Sequence, residues 1–375
     1  MICSLKPSGI LSAALLLVCV CGVTPLWGQD VAVHAPLQGL PRTFRWGVQS
    51  PDLVRYNRVE GASLGARLQI RPQSPLGPVT VSLEARLGSA DLEPNVRLDV
   101  SRETLSRRVT LSVYRELAAV DGGAGHLRFA NSMTALLFGR DEGEYYRRSG
   151  AQLEWKPPTS QRAVFRLNGF AEYHEAAETG TGFDLRHVRD DAWLFRDNVV
   201  ADEGWEVGSQ LSLSPWWGTD RRAAQGGIDA TVRAATGDFE YVRASLGGRV
   251  SVPLPADFKV GVEAGGGTSW GAPSAQRHWM LGGAGSLRGY APRSREGTSY
   301  VLARAELART HAFGAVSAFS ELGWAGERDL FDMDDALISI GLGLSIADGL
   351  IRVDGGWGLR APEGFRLDLY LDAIL

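Results

Sequence analysis

Two-residue alternation, renewed many times along the chain, limits the possible folds more than any other feature. In Ala62-Ser63-Leu64-Gly65-Ala66-Arg67-Leu68-Gln69-Ile70 every even residue is apolar and every odd one polar or small. Val79 to Leu87 keeps an equally strict parity, and shorter runs follow at Val96–Val100, Val109–Val113, Ile228–Ala234, Phe258–Ala264 and Phe365–Asp372. Alternation puts one residue class on each face of a sheet. A soluble sandwich shows it too, but two details favour a sheet that faces lipid. The polar positions are often fully charged (Arg67, Glu84, Arg86, Arg97, Asp99, Arg233, Lys259, Glu263), which suits a wet interior. Several segments are also long enough for a tilted transmembrane strand and exceed the usual soluble strand.

The sequence therefore predicts an all-β chain, a transmembrane antiparallel β-barrel. Strands are expected over 60–72, 78–90, 94–102, 106–117, 145–157, 161–174, 204–215, 225–236, 239–254, 256–269, 298–309, 312–325, 335–347, 349–360 and 363–375. That makes fifteen, and a barrel with both ends in the periplasm needs an even number. Residues 43–56 supply a sixteenth; fourteen or twelve strands follow if some segments are split too finely. Short connections alternate with long ones (118–144, 175–203 and 270–297), as periplasmic turns and external loops do. Ala130 to Leu137 reads as a short helix within the first long loop. Trp155, Tyr173, Trp205, Trp270, Tyr300, Trp324 and Tyr370 fall near strand ends, where interfacial girdles form.

The first 28 residues read as a secretory signal peptide: Lys6, then the apolar run Ile10 to Val23, then Pro25 and Gly28. That run is too short to span a bilayer. Residues 29–59 are expected to lead into a barrel over 60–375. All three cysteines (Cys3, Cys19, Cys21) lie in the signal, so the exported part would hold no disulfide, thiol nucleophile or Cys-based metal site. With 43 acidic against 39 basic residues there is no basic surplus for nucleic acid. Past the signal no apolar run is long enough for a transmembrane helix, so a membrane role requires a closed barrel.

Sites for chemistry are scarce. The six histidines (His34, His126, His174, His187, His278, His311) show no metal-ligand spacing. Asp329 to Asp335 is acidic but lacks the glycine and terminal glutamate of a calcium loop, and reads as a solvated turn. No Gly-x-Ser-x-Gly element stands out. Gly265-Gly266-Gly267 has no following helix or lysine to cradle a phosphate. The expectation is a non-enzymatic protein without a cofactor.

One motif stands apart. Leu281-Gly282-Gly283-Ala284-Gly285-Ser286-Leu287-Arg288-Gly289-Tyr290 lies in the long loop before the last five strands. This resembles the BamA/TamA superfamily of outer-membrane assembly barrels, also called the bacterial surface antigen family. There a long loop before the last five strands folds into the lumen and carries an Arg-Gly-aromatic motif, here Arg288-Gly289-Tyr290. The resemblance implies that Arg288 meets acidic side chains on the next two strands. Glu306 (in Arg304-Ala305-Glu306-Leu307) and Glu321 (in Phe319-Ser320-Glu321-Leu322-Gly323) fall at those places. A planar guanidinium can engage both at once, and inside a partly desolvated lumen such a pair fixes one loop conformation. Phe319 shares a face with Glu321, which puts an aromatic inside. The closing strands after Gly341-Leu342-Gly343 and Gly349-Leu350-Ile351-Arg352-Val353-Asp354 also resemble the family, although the last residue is Leu375 where an aromatic is usual. So does the lead-in Arg55-Tyr56-Asn57-Arg58-Val59-Glu60-Gly61.

The resemblance is to a short member without the periplasmic POTRA modules that receive clients. It implies insertion or translocation of proteins or lipids in the outer membrane, through a weak seam between the first and last strands. The implied partners are outer-membrane lipid, the barrel-assembly machinery that inserts the chain, and a separate periplasmic client-delivery protein. The alternative is a passive pore or structural barrel that keeps the fold without assembly activity. A soluble secreted sheet protein would instead be soluble without detergent.

Overall fold

The computed structural model describes residues 43–46, 53–72, 74–75, 77–120, 126–127, 129–158, 164–186, 193–218, 220, 223–311, 314–346 and 351–370. The expected signal peptide, most of the lead-in and the last five residues lie outside the described residues.

One antiparallel sheet dominates. Its segments are β1 (Thr43–Trp46), β2 (Val54–Asn57), β3 (Gly61–Ile70), β4 (Val79–Gly88), β5 (Pro94–Glu103), β6 (Arg108–Ala119), β7 (Tyr145–Lys156), β8 (Phe165–Ala176), β9 (Gly204–Leu213) and β10 (Trp216–Trp217). They continue with β11 (Gln225–Gly237), β12 (Tyr241–Leu254) and β13 (Phe258–Gly271). A separate two-stranded hairpin, β14 (Trp279–Leu281) with β15 (Arg295–Gly297), sits in the third long loop. The main sheet resumes with β16 (Ser299–His311), β17 (Gly314–Gly326), β18 (Leu337–Ile346), β19 (Ile351–Gly358) and β20 (Gly364–Tyr370).

Each strand pairs with the next in sequence. Two pairs of segments share a place. β1 and β2 both pair with β3, at Ala66–Gln69 and at Gly61–Leu64. β9 and β10 both pair with β11. The eighteen segments of the main sheet thus occupy sixteen lateral positions. The sheet begins within the stretch 43–56 expected as a sixteenth strand, but as two short pieces, β1 and β2, in place of one continuous strand. Neither is long enough for alternation to count.

The two faces follow the parity of the sequence. Leu64, Leu83, Val113, Leu246, Leu342 and Leu367 stand on one face and are largely exposed, Leu64 at 61%. On a sheet of this size such an apolar face requires a nonaqueous solvent. Ser63, Arg86, Ser112, Glu172, Glu206, Glu321 and Asp354 point to the other face and are buried. Trp155, Trp205 and Trp270 are exposed near strand ends, on the apolar face. Tyr300 instead stacks on Trp279 of the hairpin (5.1 Å), and Trp324 is covered edge-on by Phe331 of the next loop (4.9 Å). The long-loop residues over them were invisible to strand patterning. The side chain of Tyr370 lies outside the described residues.

All the long connections leave from one end of the sheet. The first carries α1 (Phe129–Phe138), and the third carries the hairpin. Parts of these loops lie on the charged face, and the ion pairs beneath them, such as those of Arg58, Arg277 and Arg288, are buried. Among the described residues no helix is long and apolar enough to cross a membrane, which says nothing about crossing by strands.

Candidate functional site

The third long loop reaches across the charged face and is held there at two arginines. Arg288 is 3% exposed. Its backbone N–H and its Nε donate to the two oxygens of Glu321, both at 2.6 Å. Its Nη1 donates to Glu306 at 2.9 Å and to Asp354 at 3.0 Å. The guanidinium also lies 3.5 Å over the ring of Phe319. Glu306 stands on β16, Glu321 on β17 and Asp354 on β19, so one side chain ties three strands together.

The charges around it are interlocked. Arg304 donates to Glu321 at 3.1 Å, and Arg352 donates to Glu306 at 2.8 Å and to Asp354 at 3.0 Å. Ser339 adds a hydroxyl to Glu321 at 3.3 Å. Burial opposes the charge on Arg288, but Glu321, Glu306 and Asp354 outweigh it and hold the guanidinium above its ordinary range. Three carboxylates and three arginines interlock within one layer, with Arg304 also 3.6 Å from Glu263, so that none of these buried charges stands alone.

Gly289 explains why the motif continues as it does. Its φ is +91°, and a Cβ there would lie 3.0 Å from the β19 backbone at Gly356. Only glycine combines this backbone with so close an approach. The turn sends Tyr290 onward into a pocket beside Gly358, where it is 1% exposed. Its hydroxyl donates to the carbonyls of Ile338 (2.8 Å) or Arg360 (3.0 Å) and accepts from the Arg360 N–H (3.1 Å). Leu287, fully buried, joins Leu281, Tyr290, Ala325 and Leu337 in an apolar cluster under the loop.

The structure therefore brings together all five residues singled out from sequence: Arg288, Gly289, Tyr290, Glu306 and Glu321. The inward Phe319 has a role, since it stacks on Arg288. Sequence reasoning missed Asp354 as a third partner, and Arg304 and Arg352 as counter-charges. A signal existed for two of them, because Arg352 and Asp354 share a parity in an alternating strand.

The second anchor was not foreseen. Arg277 ends a short 3-10 turn (Ala275–Arg277) in the same loop. Its Nε donates to Glu206 at 3.1 Å and its Nη1 to the hydroxyl of Tyr146 at 3.1 Å, while its Nη2 lies 3.6 Å from Glu172. Gln276 beside it makes a hydrogen bond to His174 Nδ1 at 3.0 Å and donates to the carbonyl of Asp202 at 3.0 Å. These partners stand on β7, β8 and β9 and on the loop before β9, far along the sheet from β16–β19. Nothing periodic marks Gln276-Arg277 in the sequence.

Elsewhere, Asp329–Asp335 forms two exposed 3-10 turns, and Asp332 caps the second by accepting from the Asp334 N–H at 2.9 Å. No group of histidines and carboxylates among the described residues has the arrangement to hold a metal ion.

A large antiparallel sheet with an apolar outer face, a charged inner face and a loop pinned on that inner face by buried arginines is the arrangement of a membrane β-barrel whose interior is occupied. Among solved structures the chain is similar to BamA from Haemophilus ducreyi lacking POTRA domains 1-3, with a TM-score of 0.55 and 12% identity over 88% of this chain and 69% of that one. It is also similar to CdiB from Acinetobacter baumannii and CdiB from Escherichia coli. Each has a TM-score of 0.42 and 14% identity over 88% of this chain, and 59% and 62% of theirs. The CdiB scores carry no weight. No known family profile and no curated protein matches the sequence. The likeness to BamA establishes the fold: this chain has a BamA-like barrel, as the loop motif implies.

Proposed function

We propose that the chain is a bacterial outer-membrane barrel of sixteen strands that inserts or translocates proteins or lipids, working with separate periplasmic partners. The observation that carries this reading is the loop arginine Arg288, locked to Glu306, Glu321 and Asp354 inside a BamA-like fold. Such a cluster holds the loop in one position, and fixed positioning is what a barrel needs if its first and last strands do the work. An edge strand with free backbone groups pairs readily with an incoming strand. In this reading the working edges are those of the first strand, β1 with β2 along β3, and of the last, β20, which pairs with β19. The fold alone does not dictate an activity, so the activity must be measured.

The test is an insertion assay in liposomes. The full chain is reconstituted, and a urea-unfolded small barrel protein is added outside. A severalfold acceleration of its folding over empty liposomes is the expected result. Ion conductance with no acceleration would overturn the reading in favour of a passive pore. A chain that stays soluble without detergent would overturn the membrane reading altogether.

A further inference from the structure

The first long loop carries a different set of contacts, and they converge where the sheet begins and ends. α1 ends at Gly139, whose φ of +62° turns the chain and whose N–H closes the helix on Ala135 O at 3.0 Å. The next three residues are Arg140, Asp141 and Glu142.

Asp141 faces the beginning of the sheet. Its Oδ2 accepts from the Arg58 N–H at 2.9 Å, one residue past β2, and lies 3.4 Å from the Arg58 guanidinium. Arg58 is fully buried. α1 reinforces this side, since Ser132 Oγ accepts from the Tyr56 N–H at 2.9 Å.

Arg140 and Glu142 face the end of the sheet. Arg140 pairs with Asp368 of β20 at 3.2 Å. Its Nη1 also donates to the backbone carbonyl of Leu367. Glu142 pairs with Arg366 of β20, which in turn donates to Asp368 at 2.6 Å. The last strand thus has its charged side chains and one backbone acceptor taken by the loop. Ion pairs of this kind, only partly exposed, hold better than surface pairs.

We infer that Arg140-Asp141-Glu142 is a clasp that bridges the seam from inside, gripping the residue after β2 with one side chain and β20 with the two flanking ones. The guanidinium on the Leu367 carbonyl occupies a hydrogen-bonding place that an added strand would need. Release of the clasp therefore precedes any pairing of β20 with an incoming strand. This deepens the reading of the seam as the working edge, and rests on that reading for its purpose, but its test involves no client.

The experiment is amide hydrogen exchange on the full chain in lipid nanodiscs, comparing wild type with Arg140→Ala/Glu142→Gln. The amides of β20 are expected to exchange about tenfold faster, as loss of charge-assisted hydrogen bonds implies, while β2, still held through Asp141 and Ser132, rises less and β12 is unchanged. Unchanged rates in β20, in a variant that still runs as a folded band before boiling, would overturn the clasp. So would an equal rise in every strand, which would mean general loosening. If the double variant does not fold, Glu142→Gln alone is read in the same way, with about a threefold rise expected in β20. A chain inactive in the insertion assay still answers this question, so the two readings fail separately.

Discussion

The two arginines of the third long loop look alike and differ in how much their walls depend on them. Arg288 touches three carboxylates, Glu306, Glu321 and Asp354, and the other ion pairs to those three among the described residues come from Arg304 and Arg352, with Arg352 shared between Glu306 and Asp354. Arg277 touches two, Glu172 and Glu206. Arg148 already holds Glu172 at 3.0 Å and Arg233 holds Glu206 at 2.6 Å, so each carboxylate keeps a cation of its own without it, whereas Glu306 and Asp354 would have to share Arg352. Burial opposes the charge on Arg277, yet Tyr146, Glu206 and their neighbours hold it well above its ordinary range. Both arginines stay charged; only one is needed to balance its wall. The lesson is that buried ion pairs are to be judged by what removal leaves behind, since an unmatched buried charge costs far more than a matched pair contributes.

The comparison can be broken by removing each arginine in turn. Arg288→Ala leaves three carboxylates with two cations and no stack on Phe319. It is expected to cost about 3–5 kcal/mol of barrel stability, read as a lower temperature for loss of the fast-migrating folded band. A loss no larger than that of Arg277→Ala would refute the charge argument. Gly289→Ala sharpens the comparison from the backbone side. It keeps every charge but forces a Cβ against β19 at a positive φ, with a cost of about 1–3 kcal/mol by the same measurement. An unaffected variant would mean that the loop can reseat. Arg277→Ala should cost least, about 1 kcal/mol, with protease sensitivity rising near the 3-10 turn and not around Tyr290. Cleavage near Tyr290 in that variant would show the anchors to be one unit.

Much of this was legible because alternation is a local signal. The strand at 79–88 could be read from Val79 to Leu87 alone, and the helix at 129–138 from an apolar stretch in a loop. Arg288, Glu306 and Glu321 were found through the resemblance to a known family, whose loop motif and acidic positions are visible along one dimension; strand parity supported Glu306. Asp354 was within reach by the same parity argument. Arg277 was not, because its neighbours in sequence carry no pattern and its partners lie on strands about seventy to a hundred and thirty residues earlier.

Sequence by itself determined the sheet and the sides of its strands, since side chains alternate with a fixed period of two, and the loop that enters it was legible through a motif shared with a known family. Tertiary structure alone decided the rest. It split the first strand into β1 and β2, placed a second arginine on the opposite wall, and set Arg140-Asp141-Glu142 between the sheet's beginning and end. The physical reason is distance along the chain. Arg140 and Asp368 meet only after the strands between them are paired in register, and no pattern near either residue records that meeting.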